Sequence, residues 1–93
     1  MNKKEKLNDY ITDVLSVPGE IVYHMPRIVL TGDRSLFLEN HNGIIHYQED
    51  LIKIAYRGGN LEIVGENLTL PILKPDELAI EGKIKRLTFV NLI

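Results

Sequence analysis

The amino-acid sequence predicts a mainly β fold with one amphipathic helix at its N-terminus. Apolar residues follow a helical spacing only up to about residue 16, and further along they alternate with polar residues. Glycine, asparagine, aspartate or proline separates most of the alternating stretches. Because 93 residues fit one small domain, we expect residues 1–17 to form the helix and residues 18–93 to form a single β domain.

The N-terminal segment has the pattern of an amphipathic helix. Its apolar face consists of Leu7, Tyr10, Ile11, Val14 and Leu15. Asn2 can cap this helix, Glu5 is placed as in a capping box, and Pro18-Gly19 ends it. The apolar face could cover one side of the sheet, or the lysine-led helix could lie on an anionic membrane or on a partner. The acidic residues among its polar positions favour the sheet.

Short strand-like runs fill the rest of the chain, and a repeated form connects them. The predicted strands are 21–23, 27–31, 36–40, 44–47, 51–56, 61–64, 68–72, 78–81 and 86–90. Units that begin near residues 28, 44, 61 and 78 give a repeat of about 17 residues. Each unit predicts two strands around a turn or bulge, with Gly32, Gly65 and Gly82 as turn residues in three of them.

Two architectures fit this repeat. An antiparallel meander of short hairpins would form a small sandwich or roll, whereas a short β-solenoid would place about one unit on each rung. Asn42-Gly43 and Gly58-Gly59 lie between units and are typical of tight hairpin turns. They favour the antiparallel meander.

Composition argues against several classes of function. The net charge of -2 gives no overall electrostatic attraction to nucleic acid, and a chain without cysteine has no disulfide or thiolate zinc site. No apolar stretch approaches the roughly 18 residues of a membrane span, and no signal-peptide pattern follows the start. Neither a P-loop nor a GxGxxG motif occurs, and no serine is placed beside a base. We therefore expect a cytoplasmic protein that is not an enzyme and needs no cofactor.

The stretch 36–47, LFLENHNGIIHY, concentrates polar side chains around one glycine. If Asn42-Gly43 forms a type I′ turn, Glu39 lies opposite His46, and His41 shares their face of the hairpin. Two imidazoles and a carboxylate are the ligand types of zinc or non-haem iron sites. A polar face with an ordinary Glu39–His46 pair is the simpler hypothesis, because no further polar groups would hold the ligands.

Three stretches also carry a family resemblance: MPRIVLTGDRSLFLENHNGIIHY, LIKIAYRGGNLEIVGENLTL and LAIEGKIKRLTF. Their most specific residues are Pro26-Arg27, Gly32, Glu39-Asn40-His41, Gly43-Ile44 and Tyr47. By these residues the chain resembles, from about residue 14 to residue 89, the YabP/YqfC family of sporulation proteins of endospore-forming Firmicutes. It is more similar to the YqfC branch of that family.

The resemblance implies a role in building the spore, on the mother-cell side of the membrane around the forespore. It also implies a larger, membrane-embedded sporulation protein as the partner, and no catalytic activity. We therefore expect a non-enzymatic adaptor or assembly factor that is membrane-associated only through this partner. The residues expected to bind the partner are Arg27, Glu39, Asn40, His41 and His46.

Two further possibilities stay open. Strand addition at a sheet edge is one way to bind a partner, and short edge strands also permit a homo-oligomer. The alternative function is a metal- or ligand-binding domain that uses Glu39, His41 and His46.

Overall fold

The computed structural model describes residues 25–91, which form six β-strands. The strands are β1 Arg27–Thr31, β2 Ser35–Glu39, β3 Ile44–Gln48, β4 Leu51–Tyr56, β5 Gly59–Leu73 and β6 Glu77–Asn91. They form one antiparallel sheet in the order β1-β2-β6-β5-β4-β3. The mainly β, antiparallel prediction is confirmed for these residues, and the solenoid alternative is wrong because no pair of these strands is parallel. Within this part of the chain no helix is long and apolar enough to cross a membrane.

Several predictions concern residues outside this range. The N-terminal helix, its caps, the strand at 21–23 and the boundary between residues 17 and 18 all precede residue 25. They stay predictions, and so does the 17-residue sequence repeat.

The long β5–β6 hairpin lies at the centre of the sheet. On one side β4 and then β3 follow β5, and on the other side β2 and then β1 follow β6. The sheet is therefore not the predicted meander of neighbouring hairpins, and because all six strands form one sheet, the predicted sandwich of two sheets is wrong. Both edges of β2 are occupied, by β1 and by β6, so β3 pairs with β4 instead. The predicted strands 61–64 and 68–72 are both part of β5, and the predicted strands 78–81 and 86–90 are both part of β6.

Gly65 and Gly82 lie within these long strands and do not turn the chain, so their prediction as turn residues is wrong and the bulge alternative is confirmed. The β5–β6 register shifts next to Gly65, and Gly82 has a φ of +134°. A Cβ at Gly65 would collide with the carbonyl oxygen of Lys83 on the neighbouring strand. Such β-bulges bend a strand and change which alternate side chains face inward. Accordingly, Ile63 is buried before the bulge and Leu68 after it.

The turn of each short hairpin is hydrogen bonded to one of the bulged regions. The β1–β2 turn contacts β6, and the β3–β4 turn contacts β5. Gly32 is a turn residue of the β1–β2 turn, as predicted, with a φ of +56°. The four bonds are Ile84 N to Asp33 O (2.7 Å), Gly82 N to Arg34 O (3.1 Å), Leu68 N to Glu49 O (2.8 Å) and Gly65 N to Asp50 O (3.1 Å). The backbone groups freed by the bulges are thus used to hold the outer hairpins.

The core is one cluster of leucine and isoleucine side chains from β2, β4, β5 and β6. Its fully buried members are Leu36, Leu38, Ile52, Ile54, Leu61, Ile63, Leu68, Leu78 and Ile80. Burial of such a side chain contributes roughly 1.5–3 kcal/mol. Because side chains alternate along a strand, the residues between these core positions face the opposite side of the sheet.

Candidate partner-binding surface

The connection between β2 and β3 is a crossover and not a hairpin turn, so the type I′ turn predicted at Asn42-Gly43 is wrong. Asn42 N donates to the carbonyl oxygen of Ala55 (2.8 Å), and Ala55 N donates to that of Gly43 (2.8 Å). These two bonds place Asn42-Gly43 along β4, ahead of β3. The φ of Gly43, +113°, accommodates this path without forming a hairpin.

His41 lies buried at the start of this crossover, with 5% of its surface exposed. Its Nε2 is 2.9 Å from the carbonyl oxygen of Lys74, and its Nδ1 is 2.9 Å from the amide nitrogen of Gly43. A carbonyl only accepts and an amide N–H only donates, so the ring is neutral with its proton on Nε2. Both nitrogens are occupied, and His41 is therefore a structural residue and not a surface contact.

Glu39 and His46, predicted as a cross-strand pair, lie on strands that are not neighbours. Glu39 is opposite Arg27 and Glu77, whereas His46 is opposite Lys53. Three strands separate β2 from β3 in the sheet. Among residues 25–91 no group of three or more His, Cys, Asp or Glu side chains could hold a metal ion. The pairing on which the metal hypothesis depended is absent.

The other predicted contact residues meet at one corner of the sheet. Arg27 Nη1 and Glu39 Oε1 form an ion pair of 2.5 Å, with the arginine side chain 66% exposed. Asn40 adopts a positive φ of 65°, its N–H donates to Asp76 O (2.7 Å) and its Nδ2 donates to Met25 O (3.0 Å). Arg27, Glu39 and Asn40 therefore lie together, and His46 lies elsewhere.

An apolar row crosses four strands next to this corner. In register, Val29 lies opposite Phe37, Phe37 opposite Ala79, and Ala79 opposite Ile72. Directly opposed residues share a face, and this face is opposite the one that carries the buried leucines of β2. We call it the back face, and we call these four residues the apolar row. Val29 and Ile72 are 40% and 42% exposed, while Phe37 is half-buried and Ala79 nearly buried.

Polar residues border the apolar row on both sides of the back face. One border is Arg27, Glu39 and Glu77, and the other is Thr31, Ser35, Glu81 and Thr69. Arg27 neutralises Glu39, so Glu77 and Glu81 give the border a net negative charge. An apolar centre with a polar rim is the usual anatomy of a protein–protein interface. Val29 and Ile72 were not predicted from the sequence, because only the cross-strand register shows that they belong to one row.

Comparison with known proteins identifies the family. The model of the YabP family matches residues 24–92, a range that includes all six strands. The chain belongs to the YabP family. It is also similar to the uncharacterized protein YqfC of Bacillus subtilis (strain 168), with 26% identity over 89 residues and 96% of each chain covered. No solved structure matches the chain.

Membership of the YabP family suggests that this protein is sporulation-related, and it confirms the resemblance found in the sequence. The matched range contains the apolar row, its polar border and the His41 crossover. The back face of this YabP-family protein is a shallow surface of apolar and acidic side chains. Such a surface can bind a complementary chain.

Proposed function

We propose that this YabP-family protein is a non-enzymatic sporulation adaptor whose back face binds a membrane-embedded sporulation protein. The observation that carries the proposal is the apolar row with its acidic border. The same corner contains Arg27, Glu39 and Asn40, three of the residues expected to contact the partner. His41 supports this corner from within, and His46 has no part in it.

The apolar row supplies the affinity in this proposal. Val29 and Ile72 leave about two fifths of their surface in water, and the partly exposed Phe37 lies in the same row. Removal of apolar surface from water contributes roughly 25 cal/mol per Å². A row of four residues across four strands can therefore accept one apolar face of a partner segment, with Ala79 as the low point between Phe37 and Ile72.

The border supplies the preference for one kind of partner. Neither Glu77 nor Glu81 has a salt-bridge partner within residues 25–91, whereas Glu39 is paired with Arg27. A partner segment that carries lysine or arginine beside its apolar residues would neutralise these carboxylates. Cytoplasmic segments next to membrane spans are enriched in lysine and arginine. Such a segment of a membrane-embedded protein fits the back face, and it would hold the adaptor at the membrane on the mother-cell side.

Two neighbouring residues provide a matched test. Ile72 belongs to the apolar row, whereas Leu73 is opposite Leu78 and faces the other side; they are 42% and 59% exposed. Tagged Ile72→Lys and Leu73→Lys variants are used in pull-downs from the membrane fraction of sporulating cells. We expect at least a tenfold loss of the membrane partner with Ile72→Lys and normal recovery with Leu73→Lys. Equal recovery with both variants would contradict the proposal, provided that circular dichroism shows both to be folded.

A further inference from the structure

We propose that the outer edge of β1 binds β1 of a second copy of this chain, antiparallel and with Val29 on the two-fold axis. This inference goes beyond the adaptor function, because it uses the edge of the sheet and leaves the back face open. The product is a dimer in which two sheets join into one.

The two end strands of the described sheet differ in how they are protected. Within residues 25–91, β1 pairs only with β2, and β3 pairs only with β4. Natural proteins protect such edges with bulges, lysine or proline. The β3 strand has a register shift at Ile45, between Ile44 and His46. The five residues of β1 pair with β2 without any shift and contain neither lysine nor proline. Pro26 and Arg27 protect only its first residue, and from Ile28 to Thr31 the edge of β1 has neither a bulge nor a charged residue or proline.

The sequence of β1, Arg27-Ile28-Val29-Leu30-Thr31, is complementary to itself in the antiparallel direction. With Val29 opposite Val29, Ile28 of one copy lies opposite Leu30 of the other. Arg27 lies opposite Thr31, so no like charges meet across the axis. Arg27 is also neutralised by Glu39 within its own chain. This complementarity favours a second copy over an unrelated strand.

Both faces of the sheet continue across the proposed interface. On the back face, the apolar row of one copy would meet the apolar row of the other at the two Val29 side chains, giving a single row of eight residues. On the opposite face, Leu30, which is 49% exposed, would pack against Ile28 of the second copy. Backbone hydrogen bonds along β1 supply the affinity in this mode, and the alternate side chains supply the register.

The position of Val29 on the axis permits a charge-swap experiment on the full chain. Val29→Lys and Val29→Glu each place two like charges opposite one another, with Cβ atoms roughly 4.5–5.5 Å apart. By sedimentation velocity we expect the wild type to have twice the mass of one chain and each variant alone to have the mass of one chain. An equimolar mixture of the two variants should recover the doubled mass. Ile72→Lys, on the same face but on β5, should remain dimeric.

A cysteine variant tests the same interface without relying on a loss of dimer, which unfolding could also cause. The chain contains no cysteine, so Val29→Cys introduces the only thiol, and oxidation should crosslink two copies. Ile72→Cys, treated in the same way, should stay uncrosslinked.

A wild type that is monomeric at all concentrations, or a dimer that persists in both charge variants, would overturn the proposal. If β1 instead accepts a strand of another protein, the wild type is monomeric alone, which also overturns it. The adaptor function is tested separately by Ile72→Lys, which should lose the membrane partner and keep the dimer.

Discussion

The Nε2–H of His41 donates a hydrogen bond to the carbonyl oxygen of Lys74 at 2.9 Å. This bond ties the β2–β3 crossover to the turn of the central β5–β6 hairpin, which the crossover passes on its way from β2 to β3. The ring also accepts the N–H of Gly43, so one side chain satisfies one backbone group of the β5–β6 turn and one of the crossover.

Replacement of His41 by alanine should therefore destabilise the fold. The Lys74 carbonyl and the Gly43 N–H would lose their partner, and a buried side chain would leave a cavity, so we expect a loss of about 2–3 kcal/mol in the free energy of unfolding. His41→Gln, which keeps one donor and one acceptor, should recover part of the loss. Urea denaturation measures both effects. His46→Ala is the control, with an expected change below about 1 kcal/mol, and an equal loss there would contradict the structural role of His41.

The β-bulge at Gly82 should be intolerant of any side chain. Its φ is +134°, and a Cβ would lie 2.7 Å from the carbonyl oxygen of Asn67 on β5. Gly82→Ala therefore combines backbone strain with a steric clash, and we expect a loss of about 2–4 kcal/mol by thermal or urea denaturation. At Gly32 the φ is +56° and nothing lies within 4 Å of a Cβ, so Gly32→Ala should cost only about 1 kcal/mol. Equal stability of the two variants would contradict a strained and crowded backbone at Gly82.

These elements also show how far the sequence predicts the fold. Alternation of apolar residues located every described strand. Gly58-Gly59 indicated the β4–β5 turn to within one residue, since the turn is 57–58 and Gly59 already belongs to β5. Local patterns could not reveal that β2 pairs with β6, since that contact joins residues about 40 positions apart. Asn42-Gly43 does not form the predicted hairpin turn, because both edges of β2 are occupied and β3 pairs with β4. Gly65 and Gly82 resemble turn residues in the sequence, and only the register distinguishes a bulge from a turn.

The candidate site was predicted only in part. Arg27, Glu39 and Asn40, three of the residues expected to bind the partner, lie at one corner of the sheet, and their contact with a partner stays a prediction. The grouping of Glu39, His41 and His46 failed because it depended on the hairpin. The apolar row could not be derived from the sequence, since its members come from four strands and the cross-strand register brings them together.

The separation of Glu39 from His46 leads to a prediction about zinc binding. Because three strands lie between those of Glu39 and His46, His46→Ala should leave the zinc affinity of the untagged protein unchanged. Isothermal titration calorimetry measures this directly, with Glu39→Gln as the second variant. Stoichiometric zinc binding that disappears in both variants would contradict the described separation of these two side chains.

The exposed pair of Lys85 and Glu66 predicts a local effect of pH. The Lys85 ammonium donates a hydrogen bond to Glu66 at 2.6 Å, and this bond, reinforced by the charges of Lys85 and Lys83, lowers the pKa of Glu66 below its ordinary value. A lowered pKa favours the folded state above the ordinary pKa of glutamate, and this contribution disappears as the pH falls through the lowered value. Both side chains are about half exposed, so the effect on stability is small.

The Lys85→Gln variant should therefore raise the pKa of Glu66 towards its ordinary value, as followed by NMR titration of the carboxyl carbon. Lys53→Gln removes the partner of Glu62 and is the control, with no expected change at Glu66. An ordinary pKa for Glu66 in the wild type would contradict the described ion pair.

We propose that the back face, and not the opposite face, contacts a membrane-embedded partner. Photo-crosslinking in sporulating cells tests it most directly, with a photoreactive residue at position 72 in one strain and at position 73 in another. The account predicts a covalent adduct with an integral membrane protein from position 72 and little or none from position 73. An adduct from position 73 alone, or none from position 72 in a folded protein, would contradict it.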